Sequence, residues 1–500
     1  MAPAQSSDSD RAVLKKSLSP LHVGALALGC IIGWGCFILP GIRFLPEAGP
    51  LAAIIGFALG AFMLIFVALS YGKMVENYPV AGGGFVYAYI GFGPTAAFIC
   101  GWALVLGYLC IIALNGTALS LMTRFLLPGV FEWGYLYSIA GWEVYTGELL
   151  FVSGMILLFG IINYRGGGSA GCCQLILAIL LVGGTAALAV SAFAAPTASL
   201  SNLEPFYAEG RGPLTCILGV VAIAPWLYVG FDTIPQAAEE FDFSHQKSTR
   251  LMLVAIIMGA VLYALVTLSV AVVIPYTELL AQKPVWAAGT IAEMTMGRIG
   301  SFVLALAVLG AICSGINGFY IASSRLIFGM ARSRFLPQWF GEVHPVFHTP
   351  HNAIIFTIAM SLLAPWCGRE ALSWVVDMSA IGTVIAYGFT SLTAWKYMSA
   401  NPLLPGSFKG KCYALLGTFA SFLCLALLTV PGSPAAIAFE SWVALVAWAA
   451  MGGTFYLTKA KEVHSLSTGE LSLLLLGSKD RQVFFEKPSE NRKTAVEPTT

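Results

Sequence analysis

Apolar stretches follow one another from residue 20 to residue 457, and most are about as long as a bilayer is thick. They run at roughly 20–44, 50–76, 95–126, 147–164, 170–194, 213–240, 250–275, 299–331, 352–368, 371–398, 412–430 and 435–457. A helix needs about 20 such residues to cross a hydrocarbon core of about 30 Å. Lipid offers no partner for an open N–H or C=O, so a spanning segment must bond its own backbone. Long runs without strict alternation do this as helices. Composition agrees: 58% of residues are hydrophobic and 10% are charged, against about 25% charged in soluble domains. The expectation is an all-α integral membrane protein with twelve transmembrane helices. The run at 352–368 is short, and polar residues interrupt the first two.

An even number of spans puts both ends of the chain on one side, and lysine and arginine indicate which side. With the N-terminus inside, Arg11, Lys15, Lys16, Lys73, Arg165, Lys247, Arg250, Arg325, Arg332, Arg334, Lys396, Lys409, Lys411, Lys459 and Lys461 fall on inner positions. Arg43, Arg124, Arg211, Lys283, Arg298 and Arg369 fall outside. This bias predicts a multi-pass protein of the cell membrane with both termini cytoplasmic. Residues 1–19 read as an uncleaved cytoplasmic tail, because no small-residue cleavage site follows a short apolar core. Residues 459–500 read as a polar, partly disordered cytoplasmic tail with one apolar run, Leu471 to Leu476. The largest loops before it, near 127–146 and 195–212, are too short for a domain.

Several classes of function drop out. A net charge of +1 without a basic, aromatic-rich stripe argues against nucleic acid. Eleven cysteines are scattered, and the pair Cys172-Cys173 has no second pair at ligand spacing, so neither a metal nor a cofactor is expected. His344, His348 and His351 share a loop but lack a completing ligand. Without a catalytic triad, a zinc-protease motif or a phosphate-binding glycine loop, the chain reads as no enzyme. Transport by such a chain would be secondary.

Two spans are weakened at corresponding places, five spans apart. The first carries GCIIGWGCFILPG, residues 29–41, with Gly33 and Gly35 about a dozen residues in. The sixth carries PWLYVGFDTIPQAAEEF, residues 225–241, with Pro225, Gly230, Asp232 and Pro235. Interior glycine costs about 0.5–1 kcal/mol relative to alanine, and interior proline removes a helix hydrogen bond. Glycines that allow close packing and prolines that merely kink would be the simpler explanation. Paired interruptions in two halves instead point to a binding site between inverted repeats. There, freed N–H groups at a half-helix start hold a carboxylate, freed carbonyls hold an ammonium or a metal cation, and a zwitterion fits both.

The ordered motifs resemble the amino acid–polyamine–organocation (APC) superfamily over about residues 20–400. Gly29 to Phe37 is similar to its first-helix pattern G-x-I-I-G-x-G-x-F. Tyr78-Pro79, Gly82 to Tyr87 and Phe92-Gly93-Pro94 resemble its segment between helices 2 and 3. Gly230-Phe231-Asp232 with Ala238-Glu239-Glu240 resembles its sixth helix, and Asn317, Ser324-Arg325, Ala331-Arg332 and Leu336-Pro337 the end of its eighth. Two inner-loop departures are FDFSHQKSTR after Glu240, without the usual Asn-Pro, and Ser333-Arg334 in place of an acidic residue and glycine.

The resemblance implies a 5+5 inverted repeat of leucine-transporter type plus two C-terminal helices. The core would span 20–400, with repeats at 20–194 and 213–398 and helices 11 and 12 within 401–458. It implies a carboxylate cradle at Ile31, Gly33, Trp34 and Gly35, and an ammonium end within Tyr228, Gly230, Asp232 and Thr233. Trp226 would close over substrate, and Gly107, Tyr108, Ile112, Asn115, Asn317 and Phe319 would face the cavity. Trp34 either packs away on neighbouring helices or narrows the pocket.

Asp232 reads as a substrate-amine contact or proton carrier, or else as the cap of a half-helix starting near Thr233. Asp377 reads as structural. Glu239 and Glu240 read equally as an inner gate pair with a loop lysine or arginine or as a solvated helix end. The fifth span has no lysine or arginine to stand in for sodium. A sodium site would need carbonyls near Gly29 and Ile32 plus Ser314, Ser323 or Ser324, with Cys30 and Cys36 poor ligands. The resulting expectation is a permease for an amino acid or related amine, coupled to H+ or exchanging, with Na+ the weaker possibility. A polyamine or other organic-amine transporter and a non-transporting amino acid sensor are the alternatives.

Overall fold

A computed structural model describes residues 14, 16–139, 142–284, 286–367, 371–478 and 481–485. Arg11, Lys15, Arg369 and the tail beyond residue 485 lie outside the described residues. Ten helices among the described residues are long and apolar enough to cross a membrane: Pro20–Glu47, Pro50–Asn77, Pro94–Leu126, Thr146–Tyr164, Gly168–Phe193, Gln246–Val272, Ala287–Arg332, Trp374–Ala400, Ser407–Thr429 and Phe439–Ser465. Two of the apolar runs fall outside that number. The run at 213–240 is broken after the helix Pro213–Ala222, and the run at 352–368 holds the eleven-residue helix His351–Ser361 followed by a short 3-10 turn, Ala364–Cys367. We keep the ordinal names first to twelfth span for the twelve runs.

Sequence punctuation explains the helix starts. Proline opens the first, second, third and sixth spans, where a missing N–H costs nothing because the first turn has no acceptor for it. Ala287–Arg332 is divided by Gly297, whose φ of 70° is not helical, so the eighth span proper begins after it.

The first, third and eighth spans form the centre, with the fifth packed on the eighth and the tenth on the third. Small residues set the closest approaches. A Cβ placed on Gly184 would lie 2.1 Å from that of Ala307, and one on Gly382 would lie 2.4 Å from the Ala103 carbonyl. This is how helices associate in lipid, where there is no hydrophobic drive between them. The twelfth span is only 11% buried over its apolar window and stands at the rim.

Both ends of the described chain pack on one face, called here the N-terminal face. Leu18 bridges to Phe241, and Leu14 packs with Ala81 and Phe328. The C-terminal tail departs from the expected partial disorder where it is described. Thr468–Leu476 is a helix with a capping box of Ser467 and Glu470, and it buries Leu471, Leu475 and Leu476. Beyond it, the Gln482 carbonyl accepts from Tyr78 at 3.0 Å and Phe484 N–H donates to Ile90 O at 2.7 Å. The apolar run in an otherwise polar tail supplies the burial that holds it. On the opposite face, Tyr135–Ile139 and Trp142–Tyr145 form a small antiparallel hairpin. Arg124 ties the third span to Glu148 of the fourth at 2.5 Å and lies over the Trp142 ring.

Candidate functional site

The first span stops being helical at Ile32, whose φ of −96° and ψ of 79° turn the chain away after its N–H bonds Leu28 O at 2.9 Å. The helix restarts at Gly35, with Cys36 N–H bonding Gly33 O and Phe37 N–H bonding Trp34 O. Between them, the N–H groups of Gly33, Trp34 and Gly35 find no main-chain acceptor among the described residues. They head the second half-helix, where the helix dipole adds positive character.

The sixth span breaks between Ala224–Leu227 and Thr233–Gln236. Gly230 sits at φ 135°, and a Cβ there would lie 2.6 Å from Ile31 N and 2.7 Å from Cys30 Cβ. Glycine is therefore required twice, by conformation and by contact. That contact is where the two breaks touch.

This second break is bonded in part by its own side chains, while the N–H groups of Val229, Phe231 and Asp232 find no main-chain acceptor among the described residues. Asp232 Oδ1 accepts from Gly230 N–H at 2.9 Å, and Thr233 Oγ1 donates to Gly230 O at 2.6 Å. Asp232 Oδ2 accepts from the Tyr108 hydroxyl at 2.6 Å, which in turn accepts from Gln236 Nε2 at 3.2 Å. All four side chains are fully buried. A buried carboxyl needs such partners. Asp232 makes no capping bond to the helix Thr233–Gln236, so the cap reading fails in that form.

Aromatic rings wall the junction. Trp34 stands edge-on to Trp226 with centroids 6.3 Å apart, and Tyr108 meets Phe319 at 5.5 Å. A Cβ on Gly35 would lie 2.8 Å from the Trp226 indole, so the absence of a side chain at Gly35 is what lets the indole approach the first span so closely. Trp34 is buried with its ring against Trp226. Asn115 joins from the third span. Its amide donates to Ile111 O at 2.8 Å, while its Oδ1 is buried without a partner, packed against Gly315 of the eighth span with Gly33 beside it. Ile112 is fully buried one turn from Tyr108.

Other expected site residues are placed elsewhere. The Ile31 side chain points at Gly259 of the seventh span, and its carbonyl faces the Tyr263 hydroxyl at 3.4 Å. The Tyr228 hydroxyl donates to Phe57 O on the second span at 2.7 Å. Gly107 packs on the tenth span, its carbonyl accepting from Ser379 at 3.0 Å. Asn317 corrects the expectation most clearly. Its amide donates to Gln174 Oε1 and Ala170 O, each at 2.9 Å, and its oxygen accepts from Asn163 at 2.9 Å. It therefore belongs to a buried amide chain linking the fourth, fifth and eighth spans.

That chain also occupies the position considered for sodium. Gln174 Nε2 donates to Ser314 Oγ at 2.6 Å and lies 3.4 Å from Ala25 O. A Cβ on Gly29 would lie 2.0 Å from Ser314 Oγ. Ser323 and Ser324 bond back to their own helix. Sequence reasoning passed over Gln174, although a single amide in an otherwise apolar span is a signal in itself. It also passed over Trp286, whose indole N–H reaches Phe37 O at 3.0 Å.

The N-terminal face is closed by ion pairs. Glu240 meets Arg325 at 2.6 and 3.2 Å, and Glu239 meets Arg332 at 2.7 and 3.0 Å, all four buried. Ser17 and Leu18 N–H groups both donate to Glu240 O. Glu239 and Glu240 are thus paired rather than solvated, and their partners are arginines of the eighth span, not a loop lysine or arginine. Asp377 accepts from Ser441 at 2.9 Å, a structural bond to the twelfth span. Among the described residues no cluster of three His, Cys, Asp or Glu could hold a metal ion.

Comparison with known proteins bears on this geometry. Residues 18–451 match the family model described as amino acid permease. The methylthioribose transporter of Bacillus subtilis is 26% identical over 91% of this chain and 95% of its own. A branched-chain amino acid permease of the same organism is 27% identical over 86% and 91%. The low-affinity putrescine importer of Escherichia coli is 23% identical over 77% and 82%. The match to the family model takes in both broken spans and the helices that hold them, and this chain belongs to the amino acid permease family.

Proposed function

We propose that this permease moves a zwitterionic amino acid with an uncharged, apolar side chain by alternating access around the two breaks. The observation that carries this reading is the asymmetry of the open groups. Gly33, Trp34 and Gly35 present unpaired N–H groups suited to a carboxylate, and Asn115 presents an unpaired oxygen beside them suited to an ammonium. Trp34, Trp226, Tyr108 and Phe319 then wall the side-chain space with aromatic surface.

A polyamine is the weaker reading, because both oxygens of Asp232 are already engaged by the protein. Repeats at 20–194 and 213–398 would rock against each other, with both termini in the cytoplasm of a cell whose outer membrane face carries the hairpin. Coupling would be to protons or by exchange. The Gln174 amide on Ser314 leaves the first-to-eighth-span contact without a free oxygen cage for sodium.

The test is uptake into proteoliposomes of labelled neutral, acidic and cationic amino acids, putrescine and methylthioribose, with and without sodium and pH gradients. Saturable, sodium-independent uptake of neutral amino acids is expected. Saturable uptake of putrescine alone would replace the substrate assignment, and binding without flux would mark a sensor.

A further inference from the structure

A cavity of about 360 Å³ opens on the N-terminal face between the second, seventh, tenth and eleventh spans, and no residue of either break lines it. Lys73, Glu76, Thr249, Met398, Lys409 and Tyr413 are among its lining residues. Glu76 is the one carboxylate in that lining, and Lys73 pairs with it at 3.1 Å. Lys409 has no carboxylate partner among the described residues. Exposed Lys247 and Arg250 flank Thr249 at the start of the seventh span, so the cavity sits in a net positive field at the membrane edge.

The wall below the cavity is apolar and aromatic. Phe62 and Phe66 of the second span meet with centroids 5.0 Å apart, and Phe66 meets Tyr413 of the eleventh at 5.9 Å. Phe62, Phe66 and Lys73 share one helix face, since spacings of four and seven residues return to the same side. From Lys73 to Phe62 the helix descends about 16 Å at 1.5 Å per residue, which is about half of a 30 Å hydrocarbon core. Phe62 and Tyr413 are exposed to lipid. A cationic cavity at headgroup level over an aromatic row one leaflet deep has the dimensions of a single phospholipid.

We propose that this cavity binds the headgroup of an anionic phospholipid, with one acyl chain lying along Phe62, Phe66 and Tyr413. Basic pockets between helices recognise such headgroups. A free phosphate or phosphate ester could use Lys73 and Lys409 but not the aromatic row, so the two sources separate experimentally.

The experiment uses the full chain in mild detergent and titrates it with dioctanoyl phosphatidylglycerol, dioctanoyl phosphatidylcholine, inorganic phosphate and glycerol phosphate, reading intrinsic tryptophan fluorescence and thermal unfolding. Phosphatidylglycerol is expected to bind, and phosphatidylcholine and the two soluble anions at least about five-fold more weakly. Lys409→Gln should weaken phosphatidylglycerol about five-fold and Phe66→Ala should weaken it too. Lys461→Gln, on the twelfth span, should change nothing. Both Lys409 and Lys461 are exposed or nearly so, so their variants are expected to fold. Equal binding of the two lipids, soluble anions that bind as well as the lipid, or an unaltered Lys409→Gln would each overturn the assignment. Because the readout is binding, it stands apart from any failure to find the transported solute.

Discussion

The two broken spans use different devices. The first leaves the Gly33, Trp34 and Gly35 N–H groups open. The sixth ties Gly230 down with Asp232 on its N–H and Thr233 on its carbonyl. An unmade backbone bond in a buried place costs about 1–3 kcal/mol, so both breaks carry groups that something else must meet, but the sixth recovers part of the cost through Asp232 and Thr233 on Gly230. The difference teaches that paired interruptions need not be equivalent: in the sixth span side chains tie the break together, and in the first none does.

The comparison breaks most readily at Gly230. Gly230→Ala puts a Cβ 2.6 Å from Ile31 N at φ 135°, and the combined clash and backbone strain should cost about 3 kcal/mol or more. Thermal unfolding in detergent should show a large fall; a variant as stable as the parent would mean the breaks do not touch. Asp232→Asn comes next. The amide has one accepting oxygen for two donors, so the loss should be about 1–3 kcal/mol, with uptake reduced. Full stability and full uptake together would show that Asp232 does not tie the break.

Tyr108→Phe should cost about 1–2 kcal/mol by leaving Asp232 Oδ2 and Gln236 Nε2 unpartnered. Combined with Asp232→Asn it should cost less than the sum of the two, because they share one bond. Strict additivity in a double-mutant cycle would argue against the network. The smallest effect on stability belongs to the first break. A Cβ on Gly33 has its nearest neighbour at 3.7 Å, so Gly33→Ala should shift stability by less than about 1 kcal/mol. Gly35→Ala, 2.8 Å from the Trp226 ring, should raise the KM for substrate about tenfold with little change in the melting point. Equal KM values for the two variants would show that the close approach of Trp226 does not govern binding.

Legibility followed the physical scale of each signal. The apolar run lengths, the glycines and prolines of residues 29–41 and 225–241 and the isolated Asp232 were readable because lipid imposes one-dimensional rules on a chain. Partners were not. Asn317 looked like a cavity residue by its place on the eighth span, yet its amide bonds Gln174 and Asn163. Gly107 also looked like a cavity residue, yet it rests on the tenth span. Glu239 and Glu240 could have been solvated until Arg332 and Arg325 were seen opposite them.

By itself the sequence determined that the backbone must be helical, must lie in a bilayer and must open in the first and sixth spans, since hydropathy, run length and helix-breaking residues act locally. Tertiary structure alone decided that Gly230 meets Ile31, that Asp232 is spoken for by Tyr108, and that Asn115 is left with a free oxygen. Which face of a buried helix a polar side chain occupies depends on the rotation and tilt of its neighbours. Those are set by small-residue contacts spread over hundreds of residues, and no local pattern records them.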